Sequence, residues 1–151
     1  MSSLYEAAGG RSRLLAMTEA FYARAVADNL LGPMFGRASG EHARHLAGWL
    51  SASFGGPTDY LAERGDLRFV VWKHANLKIT EAQRARWSKL MMASAVEVGL
   101  PETFLVPYAR FVDSVTRSVR ANSQIDLAVL RAELGLGPDE DLEPLRPETP
   151  S

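Results

Sequence analysis

Three histidines stand where their chemistry can be used. His74 lies in the apolar stretch Val70-Val71-Trp72-Lys73-His74-Ala75-Asn76-Leu77, and Trp87 follows thirteen residues later. His42 and His45 occupy neighbouring turns of a predicted helix, and Tyr22 lies further upstream beside Phe21. An imidazole on an apolar segment is suited to serve as the single axial ligand of a haem iron. Together with His42 and His45 it makes a second option, a three-histidine zinc site. The plain alternative is a histidine satisfied within the core or at the surface. Other chemistries are excluded outright. The chain has no cysteine, so it holds no disulfide, thiolate nucleophile, cysteine zinc site or iron–sulfur cluster. No strand–turn–helix context presents a serine nucleophile, and there is no glycine-rich phosphate loop.

The elements that position these side chains are helical. Leu4 to Ala8 reads as a short helix stopped by Gly9-Gly10. Ser12 to Ala27 is a second helix, with Leu14, Leu15, Thr18, Phe21, Tyr22, Ala25 and Val26 on one broad inward face. Leu30 to Phe35 is a compact turn with apolar anchors. A third helix begins near Ser39 or Gly40 and runs to Ser53, with His42, Leu46, Trp49, Leu50 and Ser53 recurring on one face. Phe54-Gly55-Gly56-Pro57 stops it. Residues 58–68 form a polar loop. Phe69 to His74 is read as a helical turn, because no second strand exists to pair with it. Thr80-Glu81-Ala82-Gln83 is a capping box. It opens a helix with Trp87, Leu90, Met91, Ser94, Ala95 and Val98 inward, ending at Gly99. Pro101 opens the next, which buries Phe104, Leu105, Tyr108, Phe111, Val112, Val115 and Val119.

At 151 residues, 46% hydrophobic and 23% charged, the chain reads as one globular all-α domain over residues 1–122. A short helix is expected within 123–136. Residues 137–151, rich in proline and acid, read as a disordered tail. A formal net charge of -1 with scattered arginines argues against nucleic acid. No apolar run is long enough to span a membrane, and the first residues lack a signal-like pattern. A cytoplasmic location is the expectation.

The ordered set Leu4-Tyr5-Glu6-Ala7-Ala8-Gly9-Gly10, Phe21-Tyr22, Phe35, Phe54-Gly55-Gly56-Pro57, Arg64-Gly65, His74, Ile79 and Trp87 resembles the truncated haemoglobins, specifically their second group. The resemblance covers about residues 4 to 120, and the step from His74 to Trp87 is its most specific part. It implies a two-over-two helical sandwich enclosing a haem b. His74 matches the proximal iron ligand, with Nε2 on iron and the Nδ1 proton given to a backbone carbonyl. Tyr22 matches the distal tyrosine, whose phenol stabilises a partly negative diatomic ligand in an apolar pocket. Trp87 matches the tryptophan that marks the second group; its indole is a donor only. His42 matches the helical position that faces ligand, where many members carry a small residue. Leu46 is then an apolar wall over the haem, and Phe35 the aromatic that wedges it. Lys73 matches a basic position that meets the haem propionates. His45 stands where the family often has a longer basic residue, and Tyr60 and Arg64 are further propionate candidates. For each of these residues, ordinary packing or an ordinary surface position is the plain alternative.

The implied role is reversible binding of dioxygen, nitric oxide or another diatomic ligand, served by an unidentified reductase, with a homodimer as an open assembly. The alternatives are redox chemistry at the same pocket (nitric oxide dioxygenase or peroxidase-like), the three-histidine zinc site, and a cofactor-free helical interaction module.

Overall fold

The computed structural model describes residues 3–35, 40–58, 77–124, 126–133 and 135. These form helices α1 (Leu4–Ala8), α2 (Arg11–Ala27), α3 (Gly32–Phe35), α4 (Gly40–Ser53), α5 (Glu81–Glu97), α6 (Glu102–Ser123) and α7 (Leu127–Glu133), with no strand among the described residues. The expected loop beyond Thr58, the helical turn over 69–74 and the tail over 137–151 lie outside them.

Helix boundaries follow local chemistry. Gly9 ends α1 at φ 91, a left-handed conformation that favours glycine. The capping box opening α5 is complete: Gln83 N–H donates to Thr80 Oγ1 at 3.1 Å, and Thr80 N–H donates to Gln83 Oε1 at 2.8 Å. Such a cap contributes about 1 kcal/mol. Pro107 lies inside α6, in its second turn, where it removes one i→i−4 backbone hydrogen bond near the helix start.

The helices pack as two pairs. α2 lies on α4, α5 lies on α6, and the pairs meet chiefly where α2 crosses α5. α3 packs against α2, and α1 bridges α2 and α6. The core between them holds Leu14, Met17, Phe21, Ala25, Ala47, Leu50, Phe54, Met91, Ala95, Phe104, Tyr108 and Val112. Gly56 follows from a close approach: a Cβ there would lie 2.5 Å from Tyr5 Cδ2, so the tyrosine ring rests on bare backbone. Tyr5 N–H also donates to Phe54 O at 3.0 Å, tying the start of the chain to the end of α4.

Two inward faces differ from those read in the sequence. On α2, Met17 takes a core position and Val26 is 44% exposed, because the last turn overruns the core and Ala25 fills the final buried slot. On α4, the face against α2 is made of small residues, Ala43 and Ala47, continued by Leu50 and Ser51. Their size lets the helices approach, and Thr18 Oγ1 donates across to Ala43 O at 2.9 Å. Leu50 is buried as the spacing predicts, but the rest of the face expected inward is the adjacent one. There Leu46 and Trp49 are half-buried, while His42 and Ser53 are exposed. Hydrophobicity favours the large side chains as the inward face, but close helix packing selects the alanines.

Charge also enters the interior. Arg84 on α5 is 6% exposed, held by Glu81 at 2.6 Å and donating to Thr116 Oγ1 of α6 at 3.2 Å. Tyr108 is the other polar group of note. Its ring stacks on Phe104 at 4.7 Å, and its buried hydroxyl has no hydrogen-bond partner among the described residues. Burial pushes the phenol pKa up. An unmet buried donor costs about 1–3 kcal/mol. Tyr108→Phe is therefore expected to stabilise the fold, raising the thermal midpoint by roughly 2–4 °C per 1 kcal/mol gained. A fall in the midpoint would mean that the hydroxyl makes a contact of real value.

No described helix is long and apolar enough to cross a membrane.

Candidate functional site

Three elements bring three of the predicted side chains together. α2 carries Tyr22, α3 carries Phe35 and α4 carries His42. The Tyr22 and Phe35 ring centroids are 5.8 Å apart at 67°, and those of Tyr22 and His42 are 6.2 Å apart at 51°. Phe21 closes the cluster from the core side, 5.3 Å from Tyr22 and 5.7 Å from Phe35, both edge-on. Such edge contacts are a favoured aromatic geometry and hold the rings in place. Phe21 is buried, as its spacing predicts; Tyr22 and Phe35 are half-buried, and His42 is exposed. The phenol thus lies between an apolar wall and an imidazole that reaches water.

Leu46 follows His42 by one turn on the same side of α4 and is half-buried against the core. His45 is half-buried as well. Trp87 is half-buried on α5, the helix that crosses α2. His74, Lys73, Tyr60 and Arg64 lie outside the described residues. So does the third member of the three-histidine alternative; among the described residues no three His, Asp or Glu side chains converge.

Two anchoring arrangements escaped the sequence reading. One fixes the approach to α5. Lys78, at φ 54, donates its N–H to Ser123 O at 3.0 Å. Ile79 N–H donates to Ser123 Oγ at 3.0 Å, and Gln124 Nε2 donates to Ile79 O at 2.9 Å. The end of α6 thereby pins the segment that leads into the helix of Trp87. The other centres on Asp28, where α2 ends. Its Oδ1 accepts from the N–H groups of Leu30 and Leu31 at 2.9 and 3.0 Å, and its Oδ2 accepts from Arg86 Nη1 at 2.6 Å. Burial pushes the Asp28 carboxyl up, but the Leu31 amide, the Arg86 guanidinium and the Leu30 amide together hold it below the usual carboxylate range. The sequence signal was present, since Asp-Asn at a helix end is a local turn former. Its distant partner was not legible.

The donor set fits a flat apolar macrocycle that carries a small polar ligand on one face. Tyr22, Phe35 and Leu46 are large side chains left half-buried by packing within the chain, on three adjoining elements. Against them stand one phenol and one imidazole, both able to donate. These are the wall materials and donors that a haem pocket needs.

The chain matches the family model of the bacterial-like globins over residues 3–106. It belongs to that family, and a haem cofactor follows from the membership. The haemoglobin of the thermophilic phototrophic bacterium Chloroflexus aurantiacus is 28% identical, with a TM-score of 0.72 over 79% of this chain and 98% of that one. The truncated oxygen-avid haemoglobin of Bacillus subtilis is 28% identical, with a TM-score of 0.70 over 78% of this chain and 98% of that one. The group II truncated haemoglobin of Bacillus anthracis, at 21% identity, shares the fold with a TM-score of 0.69 over 83% of this chain and 93% of that one. No curated sequence relative matches the chain. The all-helical sandwich and its haem-protein class therefore agree with the resemblance carried by the sequence.

Proposed function

We propose that this chain is a second-group truncated haemoglobin that holds haem b through His74 and reversibly binds dioxygen or another diatomic ligand. The observation that carries the reading is the meeting of Tyr22, Phe35 and His42 from three separate helices. When bound, haem supplies an iron centre with one face open to a diatomic ligand. The chain's own residues do the rest. The Tyr22 phenol donates a hydrogen bond to the ligand, and its apolar surroundings strengthen that bond. Phe35 and Leu46 exclude water from the same side. Trp87 offers an indole N–H as a second donor. His42, at the open edge, donates to the ligand or gates its entry and does not bind the iron itself. His74 would hold the iron through the lone pair of Nε2. Lys73, His45, Tyr60 and Arg64 supply the polar rim for the propionates. The protein works in the cytoplasm with a reductase that keeps the iron ferrous.

Rapid mixing of the ferrous protein with dioxygen, nitric oxide and peroxide in turn tests the role. A reversible oxygen complex that persists for seconds or longer, with slow peroxide turnover, is the expected result. Rapid oxidation by peroxide with multiple turnovers, and no lasting oxygen complex, would instead make the chain a redox enzyme.

A further inference from the structure

Tyr22, Phe35 and Trp87 stand on three different elements, and Asp28 lies where those elements meet. It caps the end of α2, six residues after Tyr22. Through Oδ1 it holds the N–H groups of Leu30 and Leu31, and its own carbonyl accepts from Gly32 N–H at 2.6 Å. Leu31 O in turn accepts from Phe35 N–H at 3.1 Å, so the same aspartate shapes the short helix that presents Phe35. Its second oxygen reaches Arg86, the residue before Trp87. We infer that the Asp28–Arg86 pair is a positioning latch: it fixes the helix of Trp87 relative to the Tyr22–Phe35 corner and thereby sets how long a diatomic ligand is retained. The inference rests on the haem-pocket reading above.

The geometry favours a latch over an ordinary surface pair. Exposed ion pairs hold helices weakly, because water competes for both partners. Here the Asp28 side chain is only 9% exposed, while Arg86 is 43% exposed. A shielded carboxylate must keep its donors, and each of its two oxygens is committed to a different element. Movement of α5 away from α2 therefore removes the charged partner of Asp28 Oδ2. Two other ties between these helices lack this link. Arg24 pairs with Glu97, and Arg13 donates to Val98 O, at the far end of α5 from Trp87. Neither touches the turn that leads to Phe35.

The test uses the full chain with Arg86→Met, Asp28→Asn, their double variant, and Arg24→Met as a helix-brace control. Asp28→Asn keeps an acceptor for Leu30 and Leu31, so the turn persists while the charge is lost. In the haem-loaded protein, Arg86→Met and Asp28→Asn should each speed oxygen dissociation by about three- to tenfold, the size expected when a donor hydrogen bond is weakened and not lost. Each should shift the stretching band of bound carbon monoxide, and the double variant should add little beyond either single change. Arg24→Met should leave both readouts near wild type. Lower thermal midpoints with unchanged dissociation and carbon monoxide bands would make the pair structural only and overturn the latch. A second arm reads the chain without haem by two-dimensional amide NMR. There Arg86→Met should move the Trp87 indole and Phe35 amide resonances, and Arg24→Met should not. Unmoved resonances overturn the latch whatever the haem results. A wild-type chain that fails to take haem overturns the pocket reading instead, and the NMR arm then decides the latch by itself.

Discussion

His74→Gly is expected to abolish stable haem binding. In the proposed site this imidazole is the protein's one bond to iron, and the chain has no cysteine whose thiolate could take its place. Loss of groups that merely orient a metal ligand costs about 10–100-fold in metal affinity. Loss of the ligand itself should exceed that range. The apolar walls from Phe35 and Leu46 would remain, so residual weak haem binding is compatible with the account. Added imidazole should enter the space left by the side chain and restore much of the Soret band. Absorption titrations with haem, with and without imidazole, give the comparison. An unchanged Soret band and unchanged ligand affinity in His74→Gly would show that the iron is held elsewhere.

Tyr22→Phe and Trp87→Phe are expected to speed oxygen dissociation from the ferrous protein. Each change removes a donor, and at Tyr22 it keeps a ring of similar bulk, so packing against Phe21 and Phe35 is preserved there. Loss of one hydrogen bond of ~1–2 kcal/mol corresponds to roughly five- to thirtyfold in rate. The two effects should combine to less than their product, because both donors serve one small ligand. Stopped-flow displacement of oxygen by carbon monoxide measures the rates. Unchanged dissociation in both single variants would mean that neither group holds the ligand.

Much of this architecture was legible in the sequence because it depends on local chemistry. The capping box at Thr80 and Gln83, the glycine stop after Ala8 and the proline-led start of α6 each declare a boundary through a few neighbouring residues. The inward run of α6 was legible too, since Phe104, Tyr108, Val112 and Val119 recur at helical spacing and are buried. α4 shows where such reading fails. Periodicity identifies a face but not which neighbour it meets. Ala43 and Ala47 win the close contact with α2 because they are small, and Leu46 and Trp49 turn to the adjoining side, half-buried. That displaced face is the one on which His42 and Leu46 stand. The ring cluster of Tyr22, Phe35 and His42 joins residues from three helices, and only the family pattern brought them together in advance. Asp28 with Arg86, and Ser123 with Ile79, pair residues 58 and 44 positions apart. No local pattern signals such partners.

The central claim is that this chain binds one haem in the site bordered by Tyr22, Phe35 and His42. The absorption spectrum of the purified protein, titrated with haem, tests it most directly. A sharp Soret band that saturates at one haem per chain is expected, with a five-coordinate ferrous spectrum when no ligand is added. A titration that never saturates, with only the broad absorption of free haem, would contradict it.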